Sequence, residues 1–295
     1  EVRAGRRVVA ISRPGKSLIG DVTKLDLARY YEAVAPVMLP HLADRPLNLE
    51  RYPDGIDGHR IIQQHAADYF PSWIRRARVR KRGGTVDHVV AGDPATLVYL
   101  ANQAAITLHR WLSRRDRLER PDLMIVDLDP TVDDPDDVRR AAVELVGLVR
   151  EIGLRPLVMT TGSRGYHVAV SLQRRGEHAD VIAFARELAE VACAREPERL
   201  TTAARKANRG ARIYVDVMRN AYAHTAVAPW SVRPRPGAPV AMPLDLSELE
   251  DRSMRPDRFT LRDAARRAER DGDPWAGATP QALGPARRAL AALRA

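Results

Sequence analysis

The sequence predicts an α+β protein in which helices cover a mixed or antiparallel sheet. Short apolar runs between residues 121 and 235 indicate strands, namely LMIVDLD, PLVMT, YHVAV and RIYVDVM. Two segments with apolar residues at helical spacing separate these strands, DDPDDVRRAAVELVGLVREIG and HADVIAFARELAEVACARE. The run PLVMTTGSRGYHVAV predicts a β-hairpin, and a hairpin argues against a strictly parallel sheet.

The first 120 residues also mix helices and strands. RRVVAIS predicts a short strand, and KLDLARYYEAVAPVMLPHL predicts one helix with Asp26 near its start. LNLERYP follows as a strand before the turn DGIDG, and TLVYLANQAAITLHRWL predicts a second amphipathic helix. Residues 1–120 are therefore expected to form an N-terminal lobe, residues 121–235 a core and residues 236–295 a helical, Arg- and Ala-rich tail.

Composition limits the classes of protein to consider. Apolar residues make up 45% of the 295, which favours a globular protein. The 48 Lys and Arg outnumber the 38 Asp and Glu, and this balance suits a polyanion such as nucleic acid, although a high-GC genome also enriches Arg. A single Cys, Cys193, excludes disulfides within the chain and a Cys-based zinc site. No run approaches the roughly 20 apolar residues of a membrane span, and no apolar signal core begins the chain, so we expect a cytoplasmic protein without a membrane partner.

Two carboxylates at the end of an apolar strand are the first candidate site. Asp127 and Asp129 lie two residues apart in PDLMIVDLDP, so they project from the same face of the strand. Two hard oxygen ligands on one face suit Mg²⁺ or Mn²⁺. The alternative is a strand end whose acids are solvated or cap the next helix, and capping is plausible for Asp133 to Asp137.

The second candidate is TTGSRGYH, residues 160 to 167. Hydroxyl groups, Arg164 and His167 surround a tight turn in which Gly162 and Gly165 permit positive φ and close approach to a ligand. Such a loop gathers donors around phosphate. An ordinary hairpin turn with a core His167 is the alternative.

Two further strands supply charges. Asp216, at the end of RIYVDVM, adds a third carboxylate, and three carboxylates can hold two divalent cations about 3.5–4 Å apart. Arg233 and Arg235 in WSVRPRPG are predicted to alternate on one strand face, where they suit a triphosphate; a solvated sheet edge is the alternative. The run RRARVRKR, from Arg75 to Arg82, is either a set of phosphate contacts or a solvated basic hairpin.

MIVDLDPTV also fits the haloacid dehalogenase-type phosphatase signature, in which Asp127 is a nucleophile and Asp129 a general acid. Against this alternative, about 120 residues precede a motif that usually opens that fold. The last motif of that phosphatase family normally has more than one acid, whereas Asp216 is the single acid here. The phosphatase interpretation also gives Arg233 and Arg235 no role.

Taken in order, DLDP, TTGSRGYHV, RGARIYVDVMRN and TAVAPWSVRPRPGAPVAMPLDLSEL resemble the polymerase domain of bacterial ATP-dependent DNA ligase D, in the archaeo-eukaryotic primase superfamily. The resemblance covers nearly the whole chain. It implies one primase-polymerase domain with an RRM-like catalytic core flanked by helices. It also implies a DNA-directed nucleotidyltransferase of non-homologous end joining, which extends 3′ ends with NTPs or dNTPs.

The resemblance implies two Mn²⁺ or Mg²⁺ ions held by the catalytic residues Asp127, Asp129 and Asp216. The residues it assigns to the incoming nucleotide are His109, Thr161, Ser163, Arg164, His167, Arg209, Arg233 and Arg235. Those it assigns to DNA are Lys16, Lys24, Arg51, Ile61 and Ile62, of which the lysines grip a 5′-phosphate. The implied partners are 5′-phosphorylated, gapped or overhanging DNA ends, Ku and a DNA ligase module, with a location at the nucleoid.

Some positions depart from the family pattern. Thr161 replaces a Ser and Arg164 replaces a frequent Lys, so the hydroxyl and the charge are kept. Glu50 stands where a Lys is common, and Ile61 and Ile62 stand where a Phe pair usually stacks on the template, a loss of about 1–3 kcal/mol per base. An alternative function is therefore a DNA-end binding or bridging module with weak or no catalysis.

Overall fold

The computed structural model describes residues 1–81 and 83–294, which divide into two compact units. The first unit comprises Glu1–Asp116, Thr225–Met242 and Phe259–Asp273. The second comprises Arg117–His224, Pro243–Arg258 and the chain from Pro274. Residues of the expected tail thus belong to both units.

The strands are β1 (Val2–Ala4), β2 (Arg7–Val9), β3 (Ser17–Ile19), β4 (Val22–Thr23), β5 (Leu47–Arg51), β6 (Ile61–Gln63), β7 (Arg75–Lys81), β8 (Gly84–Val90), β9 (Ala105–Trp111), β10 (Leu123–Asp129), β11 (Leu157–Thr160), β12 (Tyr166–Ser171), β13 (Leu200–Thr201), β14 (Ile213–Asp216), β15 (Thr225–Val227), β16 (Ser231–Val232), β17 (Val240–Ala241) and β18 (Pro243–Leu244). The α-helices are α1 (Lys24–Ala33), α2 (Ala35–Leu42), α3 (Pro94–Asn102), α4 (Pro135–Glu151), α5 (His178–Arg195), α6 (Leu261–Asp271) and α7 (Leu283–Ala292). Short 3₁₀ helices span Lys206–Asn208, Met218–Asn220 and Leu246–Glu250.

The first unit contains an antiparallel sheet with strand order β15–β9–β5–β8–β7, and β6 adds to β5. Strands β7 and β8 form the expected basic hairpin between Arg75 and Val90. Arg82, the last basic residue of the predicted run, lies outside the described residues. Lys81 pairs with Gly84 at the end of this hairpin.

The prediction of one helix over TLVYLANQAAITLHRWL was wrong. Helix α3 ends at Asn102, Ala104 takes φ +54°, and β9 begins at Ala105. Strand β9 is buried on both faces, so it has no alternation of apolar and polar residues. A short, wholly apolar strand cannot be told from a buried helix by periodicity alone.

The prediction of a single helix over KLDLARYYEAVAPVMLPHL was also wrong. A capping box between Thr23 and Asp26 opens α1, which ends at Ala33, and α2 starts at Ala35. The break falls just before Pro36, whose ring is tolerated in the first turn of a helix but disrupts its interior.

The second unit contains a six-stranded sheet with strand order β13–β14–β10–β12–β11–β18. All its pairs are antiparallel except β13–β14, and the predicted hairpin is formed by β11 and β12. The expected α+β class with mixed and antiparallel sheets is confirmed. None of the helices in the described chain combines the length and the apolar character that a membrane span requires.

Candidate active site

Three carboxylates project from one face of the second unit's sheet. In the antiparallel pair of β10 and β14, Asp127 lies directly opposite Asp216, and Asp129 lies opposite Tyr214. Residues that face each other across two strands project to the same side, as do residues two apart on one strand. Asp127, Asp129 and Asp216 therefore lie on one face of the sheet, on two neighbouring strands. The capping alternative applies to Asp134 instead, whose side chain accepts from the amides of Asp136 and Asp137 at the start of α4.

Cationic side chains surround Asp127. His167 Nε2 lies 3.5 Å from Asp127 Oδ1, and Arg219 Nε lies 3.4 Å from Asp127 Oδ2. Burial by itself raises the pKa of Asp127, but the charges and hydrogen bonds of His167 and Arg219 outweigh burial and hold the pKa below its ordinary value. Asp127 is thus an ionised carboxylate in the folded protein at neutral pH.

Asp129 has its own cationic partners. Arg209 lies 3.2 Å from Asp129 and 4.1 Å above the ring of Tyr214, while its other nitrogens donate to the carbonyls of Ala203 and Ala204. Its side chain is only 8% exposed, so Arg209 is fixed in place. Arg164 approaches Asp129 at 3.8 Å from a half-exposed position.

The carboxylates of the acid site could act as ligands of a divalent cation, but in this structure they form ion pairs with the neighbouring Arg and His side chains. In residues 1–81 and 83–294, no three acidic, His or Cys side chains converge closely enough to hold a metal ion as they stand. Arg219 contacts two of the acids, because its Nε lies 3.4 Å from Asp127 and 3.8 Å from Asp216. Carboxylate oxygens are the donor type that Mg²⁺ and Mn²⁺ prefer.

The phosphate-loop candidate is the turn between β11 and β12. The Thr161 hydroxyl donates to the Gly165 carbonyl at 3.0 Å and accepts from the Gly165 amide at 3.3 Å, which closes the turn. Gly162 takes φ +62° as predicted, but Gly165 does not have positive φ. Gly165 is required for another reason, because a Cβ there would overlap the carbonyl oxygen of Leu128. Ser163 is half-buried at the tip of the turn.

His167 follows this loop on β12, opposite Asp127 in the pair with β10. Its side chain is 3% exposed, and its Nδ1 is buried without a hydrogen-bond partner in the described chain. A purely structural role for His167 in the core does not explain this free nitrogen, since a buried ring nitrogen normally has a hydrogen-bond partner.

In the first unit, Glu50 is the centre of the contacts that involve His109. Glu50 Oε2 lies 3.2 Å from His109 Nε2, and Oε1 lies 3.0 Å from both Arg60 Nε and the Tyr52 hydroxyl. Burial alone raises the pKa of Glu50, but hydrogen bonding and the charges of His109, Arg60 and Arg233 lower it from 4.5 to about 2. An ionised carboxylate only accepts, so His109 donates from Nε2.

The prediction that Arg233 and Arg235 alternate on a strand was wrong. Strand β16 ends at Val232, and the Arg235 amide donates to the Arg233 carbonyl in a turn, 2.9 Å away. Pro234 and Pro236 explain the difference, because proline lacks the amide that a strand ladder uses. Arg233 is half-buried and Arg235 is exposed.

The residues predicted for DNA ends cluster in the first unit. Lys24 is buried and donates to the Ser12 hydroxyl at 3.3 Å. Burial, followed by the nearby charges of Arg13, Lys16 and Arg51, lowers the pKa of Lys24. Lys16 is paired with Asp54 at 2.7 Å, a partner that the sequence did not indicate.

Arg51, Ile61 and Ile62 lie on neighbouring strands, since Arg51 pairs with Ile61 and Glu50 with Ile62 in β5 and β6. The guanidinium of Arg51 donates to Gln63 at 2.5 Å and to the carbonyl of Gln103 at 2.8 Å. Ile61 and Ile62 are 36% and 48% exposed.

Sequence reasoning missed two residues of the acid site, Arg219 and Asn220. The Asn220 amide group donates to the Ile125 carbonyl at 2.6 Å and accepts from the Ile125 amide at 2.9 Å. It therefore continues the β10 ladder beyond the end of β14. The position of both residues just after Asp216, in DVMRN, was the available signal.

Comparison with known proteins gives the family. The family model described as LigD, primase-polymerase domain, matches residues 23–275. The chain is 33% identical over 279 residues to the multifunctional non-homologous end joining protein LigD of Pseudomonas aeruginosa, covering 93% of this chain and 33% of that protein. It is 29% identical over 255 residues to the bifunctional LigD of Bacillus subtilis, covering 86% of this chain and 41% of that protein.

A solved structure gives the same result. The polymerase domain of Mycobacterium tuberculosis ligase D in complex with DNA superimposes with a TM-score of 0.85 at 28% identity, covering 91% of this chain and 96% of that domain. The fold is therefore that of a ligase D polymerase domain. The chain belongs to the LigD primase-polymerase domain family, a family of nucleotidyltransferases, and spans about a third of the length of its P. aeruginosa relative. The phosphatase interpretation of DLDPTV is not supported.

Proposed function

We propose that this chain is a DNA-directed nucleotidyltransferase that extends 3′ ends with NTPs or dNTPs during repair of double-strand breaks by non-homologous end joining. The observation that carries the proposal is the register of β10 and β14, which sets Asp127 opposite Asp216 with Asp129 on the same face. The names of the relatives and the DNA complex of the structural neighbour support DNA ends as the substrate.

We assign Asp127, Asp129 and Asp216 as ligands of two Mn²⁺ or Mg²⁺ ions. Such ions stabilise the attacking 3′-oxygen and the departing pyrophosphate. Asp127 is ionised and held rigidly on a central strand, and Asp216 is fixed by accepting from the Met218 amide at 2.8 Å. Preorganised ligands of this kind need no rearrangement of the backbone.

The neighbouring cations are assigned to the triphosphate. Arg164 lies on a half-exposed turn that also presents Ser163, and it is only loosely paired with Asp129 at 3.8 Å. His167, with an unpartnered Nδ1, faces Asp127 from the next strand. Positive groups beside the acids neutralise the charge that develops on a leaving pyrophosphate. His109, Arg233 and Arg235 are assigned to nucleotide contacts on the resemblance alone.

Lys16 and Lys24, which lie near Arg13 and Arg51, are assigned to the 5′-phosphate of a DNA end. Burial is the main cause that lowers the pKa of Lys24, and the charges of Arg13, Lys16 and Arg51 add to it, so several positive groups lie close together here. Such a surface attracts phosphate, and its affinity falls as salt rises. Ku and a DNA ligase module are proposed as partners of the full repair protein.

A second candidate function, DNA-end binding without incorporation, is favoured by Ile61 and Ile62. Their side chains are exposed but offer no aromatic face for a template base. A primer-extension assay on 5′-phosphorylated gapped DNA, with Mn²⁺ and either NTPs or dNTPs, separates the two. Extension of the primer supports the polymerase. Tight binding of the phosphorylated end without extension supports the binding module, and phosphate release from small phosphoesters without DNA would contradict both.

A further inference from the structure

Asp127 and Asp216 need a counter-ion before any metal binds. The two carboxylates lie directly opposite each other on adjacent antiparallel strands. Like charges in this arrangement destabilise a sheet, because Cβ atoms of such pairs are only about 4.5–5.5 Å apart. Within the described part of the chain, Arg219 is the cation in ion-pair contact with both acids, at 3.4 Å and 3.8 Å.

The turn that carries Arg219 is fixed by its neighbours. Asn220 is fully buried, and its side-chain amide binds both backbone groups of Ile125 and the carbonyl of Val217. At the other end of the turn, the Met218 amide donates to Asp216. Hydrogen bonds therefore hold the backbone of the 3₁₀ helix Met218–Asn220 in a fixed position beside β10 and β14.

The side chain of Arg219 itself is not locked. It is 43% exposed, and its ion pairs within residues 1–81 and 83–294 are the two long contacts with the acids, of which the one to Asp127 is also a hydrogen bond. Arg209 is the opposite case, since it is 8% exposed and donates to two backbone carbonyls at 3.0 Å or less. A half-exposed guanidinium held by contacts of 3.4 Å and 3.8 Å is less firmly fixed than that of Arg209.

We propose that Arg219 is an internal counter-ion that keeps Asp127 and Asp216 together in the metal-free protein and is displaced when a divalent cation binds between them. The inference rests on the proposed function, because it takes these acids as the metal ligands. Arg219 is then a positioning residue that lowers the affinity for metal while it stabilises the metal-free fold. The side chain of Arg209 keeps its position when the divalent cation displaces Arg219.

The test is a titration of the full chain with Mn²⁺ in the absence of nucleotide and DNA. Electron paramagnetic resonance measures the concentration of free Mn²⁺ at each step. Arg219→Gln removes the competing charge, so its Mn²⁺ affinity should rise about fivefold, the equivalent of roughly 1 kcal/mol. Arg219→Lys keeps a charge and should stay closer to the parent protein. Arg186→Gln is the matched control, because Arg186 is an exposed arginine that contacts Met218 rather than the acids. Its affinity should not change.

Thermal unfolding supplies the second readout. In EDTA, Arg219→Gln should melt below the parent protein, and saturating Mn²⁺ should remove that difference. Unchanged or weaker Mn²⁺ binding by Arg219→Gln overturns the inference, even if the variant is less stable. The variant Asp127→Ala tests the proposed function separately. If Asp127→Ala binds Mn²⁺ like the parent protein, the acids are not the metal site, and both the proposed function and the inference on Arg219 fail.

Discussion

Replacing Glu50 by Gln should destabilise the first unit in a way that depends on pH. The carboxylate is 6% exposed and lies 3.2 Å or less from His109, Arg60 and the Tyr52 hydroxyl. These contacts lower its pKa from 4.5 to about 2. At 1.36 kcal/mol per pKa unit, this shift corresponds to at most about 3 kcal/mol of folding free energy.

The lowered pKa of Glu50 determines the direction in which its contribution to stability changes with pH. The contribution of Glu50 is fully present above pH 4.5, the pKa of the unfolded chain, and is lost as pH falls through about 2. The free energy of unfolding in urea should therefore differ between the parent protein and Glu50→Gln by up to about 3 kcal/mol at pH 6, and by about half of that difference at pH 3. Asp57→Asn, which changes an exposed acid three residues before Arg60, is the control and should match the parent protein at both pH values. A difference below about 1 kcal/mol at pH 6, or one that does not change with pH, would refute the reasoning.

Three further predictions concern single contacts. Gly165→Ala should lose on the order of 1–3 kcal/mol in urea unfolding, because its Cβ overlaps the Leu128 carbonyl, whereas Gly147→Ala in α4 has open space and should be slightly stabilising; equal effects would contradict this. Asn220→Ala leaves the Ile125 amide and carbonyl without partners, so the Ile125 amide should exchange hydrogen faster and stability should fall by about 1–3 kcal/mol per group; unchanged exchange would argue against the ladder role. Asp54→Asn frees Lys16, so fluorescence anisotropy should show roughly two- to fivefold tighter binding of a 5′-phosphorylated DNA end, with no gain for an unphosphorylated end.

The sequence was sufficient for those parts of the site that depend on local pattern. Alternation along LMIVDLD put Asp127 and Asp129 on one face, and the turn residues of TTGSRG predicted the β11–β12 hairpin, as the structure confirms. The register that sets Asp127 opposite Asp216 joins strands nearly 90 residues apart, so no local pattern contains it. From the sequence, only a neighbouring position of the two strands was proposed, without their register.

The errors have a common physical origin. Strand β9 is buried on both faces and lacks alternation, so Thr96–Leu112 was taken as one helix. Glu50 was noted as a departure from a common Lys, and its contacts with His109 and Arg60 were not predicted. Arg219 and Asp54 were missed for the same reason: which cation meets which acid is decided by tertiary packing, not by spacing along the chain.

The central claim is tested most directly by primer extension with the double variant Asp127→Ala, Asp129→Ala. The assay uses Mn²⁺, NTPs and a 5′-phosphorylated gapped DNA, with binding of the same DNA measured in parallel. Removal of two of the three proposed metal ligands should abolish extension while binding of the phosphorylated end, assigned to Lys16 and Lys24, stays within about twofold of the parent protein. Extension at the rate of the parent protein would contradict the account.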